Sequence, residues 1–250
     1  MLPEERRTKI LEILTVEGKV TVQDLSQRLS ISVDTIRRDL KELEIKNQLM
    51  RVHGGAMPRL TTHVPYQIRQ TQNIIEKKAM AVHAAKLIQP NQVVFIDGGS
   101  TNLEVAKRFP SSFELTVVTN CPFVLIALGR YKNIKTIMIG GQLNTASMTV
   151  VGSKASQALQ QIYADIFFLG VCNLHPDYGI TAHEHDEAQV KKVMIQNSAQ
   201  TVAVTSSDKL GKVAPFVINT LDSLTHLITD SSINNEQAEA YEGFGITVIR

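Results

Sequence analysis

Five short segments of this chain are almost unbroken apolar runs: QVVFID (92–97), LTVVT (115–119), KTIMIG (135–140), DIFFLGV (165–171) and TVAVTS (201–206). A strand covered on one face alternates apolar and polar residues, whereas a strand covered on both faces reads as a continuous run. Helical patterns lie between the runs, at 74–88, 101–109, 153–163 and 186–197. That alternation predicts an α/β domain, residues 74–250, around a largely parallel sheet.

Residues 1–57 follow another pattern, three helices and a β-wing. Ile10, Leu11, Ile13 and Leu14 form one apolar face, and Gly18 stops that helix. In VTVQDLSQRLS, Thr21 is an N-cap and Leu25 and Leu29 are spaced i, i+4. A short turn leads into SVDTIRRDLKELE (32–44), and QLMRVHGGAMP follows as an extended hairpin around Gly54-Gly55. Residues 58–73 hold two prolines and little periodicity, and read as a linker, in part packed.

At 100° per residue, Val33, Ile36, Leu40 and Leu43 fall within a stripe of roughly 80°. Arg38 lies opposite the stripe; Thr35, Arg37 and Lys41 flank its outer side. Ser32 is the N-cap, and Asp34 suits the positive end of the helix. Asp39 sits by the apolar edge, where it fixes packing rather than facing a phosphate. A helix–turn–helix with a basic second helix is the geometry that enters a DNA major groove. Arginine pairs with guanine edges, Ser and Thr hold phosphates, and Arg51 and His53 in the wing reach flanking backbone. A solvated helix face is the alternative for an Arg-Arg pair taken alone. The net charge of +2 sits in the first 59 residues, which carry 11 basic and 9 acidic side chains.

In the second region, VVFIDGGSTNLEVAKRF runs strand, glycine-rich turn, helix. Gly98, Gly99, Ser100 and Thr101 fall at a helix N-terminus, where free amides and hydroxyls can hold an anion. The turn lacks the lysine and spacing of a Walker A loop and is too short for a GxGxxG fingerprint. A plain strand–helix turn is the alternative.

VTVQDLSQRLSISVDTIRRDLKELEIKNQLMRVHGGA closely resembles the winged helix-turn-helix of the DeoR family of bacterial transcription regulators, with TIRRDL and RVHGGA its most specific parts. Asn47 departs from the glycine common there. The resemblance extends through Asp97–Thr101, Thr119-Asn120, Gly140-Gly141, Val151-Gly152, ADIFFLGV, Glu187–Lys192 and Asp208–Gly211. It implies that Ser32, Thr35, Arg37 and Arg38 approach operator DNA. It implies a sensor domain similar in fold to ribose-5-phosphate isomerase and the CoA transferases, with a phosphorylated sugar or related metabolite as effector. Phosphate would sit on Ser100, Thr101 and the local amides; Asp97, Asn120, Glu187, Lys191 and Lys209 are the further contacts. Ser206 stands where the family usually has an aspartate. The function implied is repression of a sugar or sugar-alcohol operon by a dimer or tetramer, relieved by the effector.

Cys172, His175, His183, Glu184 and His185 are metal-ligand types, but their spacing fits no common zinc pattern, so no metal and no cofactor are expected. The competing reading is a phosphosugar isomerase or hydrolase with a DNA-binding appendage. Against it, the run ADIFFLGVCNL holds Asp165 as its only acid, too few for enediol chemistry. A second domain that only oligomerises is a third reading. Cys121 and Cys172 have no suggestive base and read as buried small residues. No apolar run spans a membrane and MLPEERRTKI is no signal peptide, so a cytoplasmic protein is expected.

Overall fold

The computed structural model describes residues 1–46, 48–58 and 64–250; Asn47 and residues 59–63 of the expected linker lie outside the described residues. The N-terminal region contains α1 (Pro3–Glu17), β1 (Val20–Thr21), α2 (Val22–Leu29), α3 (Val33–Ile45), β2 (Leu49–Val52) and β3 (Gly55–Pro58). Thr21 Oγ1 accepts the Asp24 amide at 3.1 Å and Ser32 Oγ accepts the Thr35 amide at 3.3 Å, so both expected N-caps form. Ile10, Leu14, Leu25, Ile36, Leu40, Leu43 and Leu49 make a small core. The wing is a three-stranded sheet in the order β1-β3-β2 rather than a bare hairpin. Its third strand is only two residues long, too short for a periodicity signal.

After α4 (Tyr66–Arg69) come α5 (Ile74–Ala85), β4 (Val93–Ile96), α6 (Ser100–Ala106), β5 (Leu115–Thr119), α7 (Pro122–Leu128) and β6 (Ile134–Met138). The hairpin β7 (Gln142–Asn144) and β8 (Thr149–Val151) follows, then α8 (Ser153–Leu159), β9 (Ala164–Gly170), β10 (Asn173–His175) and β11 (Gly179–Ala182). The chain ends with α9 (His185–Gln196), β12 (Ser198–Val204), β13 (Phe216–Asn219), β14 (His226–Ile228), α10 (Asn235–Glu242) and β15 (Thr247–Ile249).

Seven strands form one sheet in the order β15-β14-β12-β9-β4-β5-β6, every neighbouring pair parallel. All five apolar runs lie in it. Their alternate residues enter opposite cores: Val94, Ile96, Ile166, Phe168, Val202 and Val204 pack with α5, α6 and α7, while Phe95, Phe167, Leu169 and Ala203 pack with α8, α9 and α10. This double burial is why the runs are apolar at successive positions rather than at alternate ones. A separate antiparallel sheet, β10-β11-β13, lies outside the main one. Among the described residues, no helix is long and apolar enough to cross a membrane.

The strand order places a topological switch between β4 and β9. From β4 the chain runs outward through β5 and β6; from β9 it runs the other way through β12, β14 and β15. Ligands of open α/β sheets bind beyond the carboxyl ends of the strands at such a point.

Candidate functional site

Two sites follow from this frame. On α3, Ile36, Asp39, Leu40 and Leu43 face inward, while Arg37, Arg38 and Lys41 are exposed. Arg37 makes an i, i+3 ion pair with Asp34 at 3.3 Å and faces the wing, sharing a groove with Gln23, Arg51 and His53. Among the described residues, Arg38 and Lys41 have no carboxylate partner. Ser32 and Thr35 share a hydroxyl–hydroxyl hydrogen bond of 2.9 Å at the start of the helix. Arg51 donates its amide to Glu44 Oε1 at 3.2 Å, with its guanidinium 3.8 Å from the same carboxylate. His53 is exposed at the wing tip, beside Gly54 at φ +80°, a turn conformation that favours glycine. Arg37, Arg51 and His53 thus line one groove between α3 and the wing.

The second site occupies the switch point. Asp97 follows β4, and the chain turns through Gly98 and Gly99 into α6. Gly99 has φ +146°, and a side chain at Gly170, the end of β9, would collide with the Gly98 carbonyl. Only glycine allows the two strand ends to approach this closely. Ser100, Thr101 and Asn102 occupy the first turn of α6, where amide N–H groups have no helical acceptor. Gly98, Gly99, Ser100, Thr101, Glu187 and Lys209 converge on one cavity. So do Arg69, Asn102, Ser147, Thr149 and Cys172, none of which was expected among the effector contacts. Asn102 follows Thr101 directly and was readable as part of the same helix start. Arg69 sits in a stretch without periodicity and gave no signal.

Beneath the cavity lies a buried charge cluster. Lys191 Nζ donates to the Asp97 carboxylate and to the Gly170 carbonyl at 2.7 Å, and lies 3.3 Å from Glu187 Oε1. Asp97 Oδ1 also accepts the Gly170 amide at 2.6 Å and the Asn102 side chain at 2.8 Å. Burial pushes the Asp97 carboxyl up to about 6, against the pull of Lys191 and the Gly170 amide. Burial pulls Lys191 down, but Asp97 and Glu187 outweigh it and keep the ammonium charged. Asp97 and Lys191 therefore spend their charges on each other, as a floor to the cavity. Glu187 Oε2 and Asn102 Oδ1 are buried without a hydrogen-bond partner. Unpaired polar atoms of this kind, lining a cavity, call for a ligand or water.

Lys209 reaches the cavity from the loop after β12, its Nζ 3.4 Å from the Val171 carbonyl. Ser206 donates its hydroxyl to Asp208, while Asp230 accepts the Ser207 amide at 2.7 Å and hydroxyl at 2.8 Å. Asp230 thus braces a loop in which Ser206 replaces the expected acid. Asn120 does not line the cavity: its amide donates to the Val150 carbonyl at 2.9 Å, tying the end of β5 to β8. Asp165 accepts the Val93 amide at 2.7 Å, a structural role. His175 is fully buried and its Nδ1 accepts the Asp177 amide at 3.1 Å, whereas His185 is exposed on α9 beside Asp186. Among the described residues, no three His, Cys, Asp or Glu side chains gather as metal ligands would.

Residues 6–59 match the DeoR-like helix-turn-helix domain and residues 72–231 the DeoR C terminal sensor domain. The HTH-type transcriptional regulator GlpR of Haloferax volcanii is 34% identical over 251 residues, covering 100% of this chain and 98% of the relative. The glycerol-3-phosphate regulon repressor of Escherichia coli is 28% identical over 232 residues, 92% of each chain. Ribose 5-phosphate isomerase A from Methanocaldococcus jannaschii overlies 55% of this chain and 55% of its own, with a TM-score of 0.41 and 15% identity. A sensor-domain match across more than half the chain, and a relative 34% identical across all of it, establish that the chain belongs to the DeoR family of transcriptional regulators.

Proposed function

We propose that this protein represses an operon for the use of a sugar or sugar alcohol, and that a phosphorylated sugar bound at Gly98–Thr101 releases it from the operator. The observation that carries the reading is the cavity at the switch point. Helix-start amides and two hydroxyls meet Lys209 there, and Glu187 offers an unpartnered carboxylate oxygen to a sugar hydroxyl. The names of relatives, a glycerol-3-phosphate regulon repressor among them, support a phosphorylated small molecule as the effector class.

One winged region makes few base contacts, so a cytoplasmic dimer or tetramer engages two operator half-sites and gains affinity by linkage. The effector binds more tightly to an arrangement that cannot span both half-sites, and shifts the population toward it. A melting-temperature screen against phosphorylated sugars and polyols tests the sensor, because a ligand of the native state raises the midpoint. Absence of any stabilising compound would count against it.

The Asp97–Lys191–Glu187 cluster favours testing a second reading, a phosphosugar isomerase. Lys191 is held by both carboxylates and a carbonyl, which leaves it no freedom to carry a proton to substrate. No turnover of the stabilising compound is expected; measurable isomerisation would replace the repressor-only reading.

A further inference from the structure

The short helix α4 stands between the winged region and the sensor sheet, eight residues after the end of β3. It is fastened to the sensor. The Tyr66 amide donates to the Ala146 carbonyl at 3.0 Å, and the buried Tyr66 ring stacks on Phe123 with centroids 5.0 Å apart and planes 7° apart. Lys77 Nζ donates to the carbonyls of Arg69 at 2.5 Å and Gln72 at 2.6 Å, fixing the turn that follows.

Arg69, the last residue of α4, lies over the Tyr66 ring at 5.6 Å and lines the same cavity as Ser100, Thr101 and Lys209. Its Nε is buried without a hydrogen-bond partner. Among the described residues, neither Arg69 nor Lys209 has a carboxylate within ion-pair distance. Burial lowers the Lys209 pKa, and the charges of Arg69 and Lys191 lower it further. An anion entering this cavity removes the repulsion and supplies Arg69 with the acceptor it lacks.

The cavity is narrow, with about 10 Å³ of room inside its lining, and Arg69 stands at its wall. The ends of β4 and β9 are locked in the seven-stranded sheet. Among the walls outside that sheet are Arg69 on α4 and the Ser147–Thr149 segment, and α4 is bonded to Ala146, next to Ser147. A ligand in the cavity therefore meets α4 through Arg69.

We infer that Arg69 closes on the same phosphate that the α6 N-terminus holds, and that this contact carries effector occupancy through α4 to the DNA-binding region. The inference rests on the cavity being the phosphosugar site, and adds the residue that couples it to DNA. Eight residues span at most about 28 Å when extended, so the position of α4 limits where the winged region can go.

The test uses the full chain with inorganic phosphate as the probe, reading the melting temperature and amide hydrogen exchange. In the unaltered protein, phosphate raises the midpoint and slows exchange both at the start of α6 and over residues 66–72. In Arg69→Gln, phosphate affinity falls by about tenfold or more, as for loss of a charged hydrogen bond, and exchange over 66–72 no longer responds. Arg69→Lys restores part of the affinity. Protection of α6 without protection of 66–72, or equal phosphate affinity in Arg69→Gln, overturns the role of Arg69 while leaving the cradle in place. No stabilisation of the unaltered protein by phosphate overturns the cradle and the coupling together.

Discussion

The Arg6 guanidinium holds the Asp39 carboxylate at two points, Nε to Oδ2 at 2.5 Å and Nη2 to Oδ1 at 3.1 Å. Both side chains are buried, and the pair locks α1 against α3. Asp39 lies between Arg38 and Leu40, so it sets the roll of the helix that presents Arg37 and Arg38. An acid in the middle of a helix with exposed arginines is thereby turned inward.

Asp39→Ala leaves the Arg6 charge without its bidentate partner and should cost on the order of 3 kcal/mol. Urea unfolding of the full chain measures this on the transition of the winged region. The double variant Arg6→Met with Asp39→Leu should recover much of the loss, because no unpaired charge remains. A double variant no better than Asp39→Ala would show that the pair acts through packing alone.

Arg37→Ala and Arg38→Ala should each weaken operator binding by about 1–3 kcal/mol where the arginine reads a guanine. Arg38 points outward from the apolar stripe and is assigned to a base edge. Arg37 faces the wing groove with Arg51 and His53 and is assigned to backbone. Loss of a phosphate contact lowers the salt slope of binding by about 1, whereas loss of a base contact relaxes sequence preference. Fluorescence anisotropy across a salt series separates the two. Unchanged affinity in both variants would sink the recognition-helix assignment.

Ser100→Ala combined with Thr101→Ala removes two hydroxyls from the cradle without touching the winged region. Operator affinity should be unchanged and the response to the effector abolished. A gel-shift titration with and without the stabilising compound decides this, and a normal response would place the phosphate elsewhere.

Phosphate affinity should fall between pH 7 and pH 9. Burial lowers the Lys77 pKa to about 8 and moves Lys209 in the same direction. Lys77 then loses its proton, and its attraction for the anion, as pH rises through that window. Without anion the sign is reversed. Lys77 titrates at 10.5 when unfolded, so the unfolded state binds more protons between about 8 and 10.5 and this group's contribution to stability rises with pH. Melting curves at pH 7 and pH 9, with and without phosphate, check both slopes. Lys77→Met should flatten the anion-free one.

The continuous apolar runs, the Thr21 and Ser32 caps, the α3 stripe and the glycines of DGGST all express their meaning within a few residues. Period, capping and left-handed backbone are local physics, and those elements were legible without coordinates. Other elements were not. The strands β1, β14 and β15 have two or three residues each, too few to carry a period, and exist through pairing with partners distant in sequence. The bond from the Asn120 amide to the Val150 carbonyl, which joins β5 to β8, likewise pairs residues 30 apart and has no local signal.

The sequence by itself determined the two-part architecture, the exposed arginine face and the glycine turn between β4 and α6. Tertiary structure alone decided which charges remain available. Asp97 and Lys191, 94 residues apart, neutralise each other, Arg6 consumes Asp39, and Arg69 arrives beside Thr101 and Lys209 with no carboxylate partner among the described residues. Pairing in a buried site depends on which strand ends and helix faces meet. No local pattern encodes that, because it follows from the order in which the parallel strands assemble.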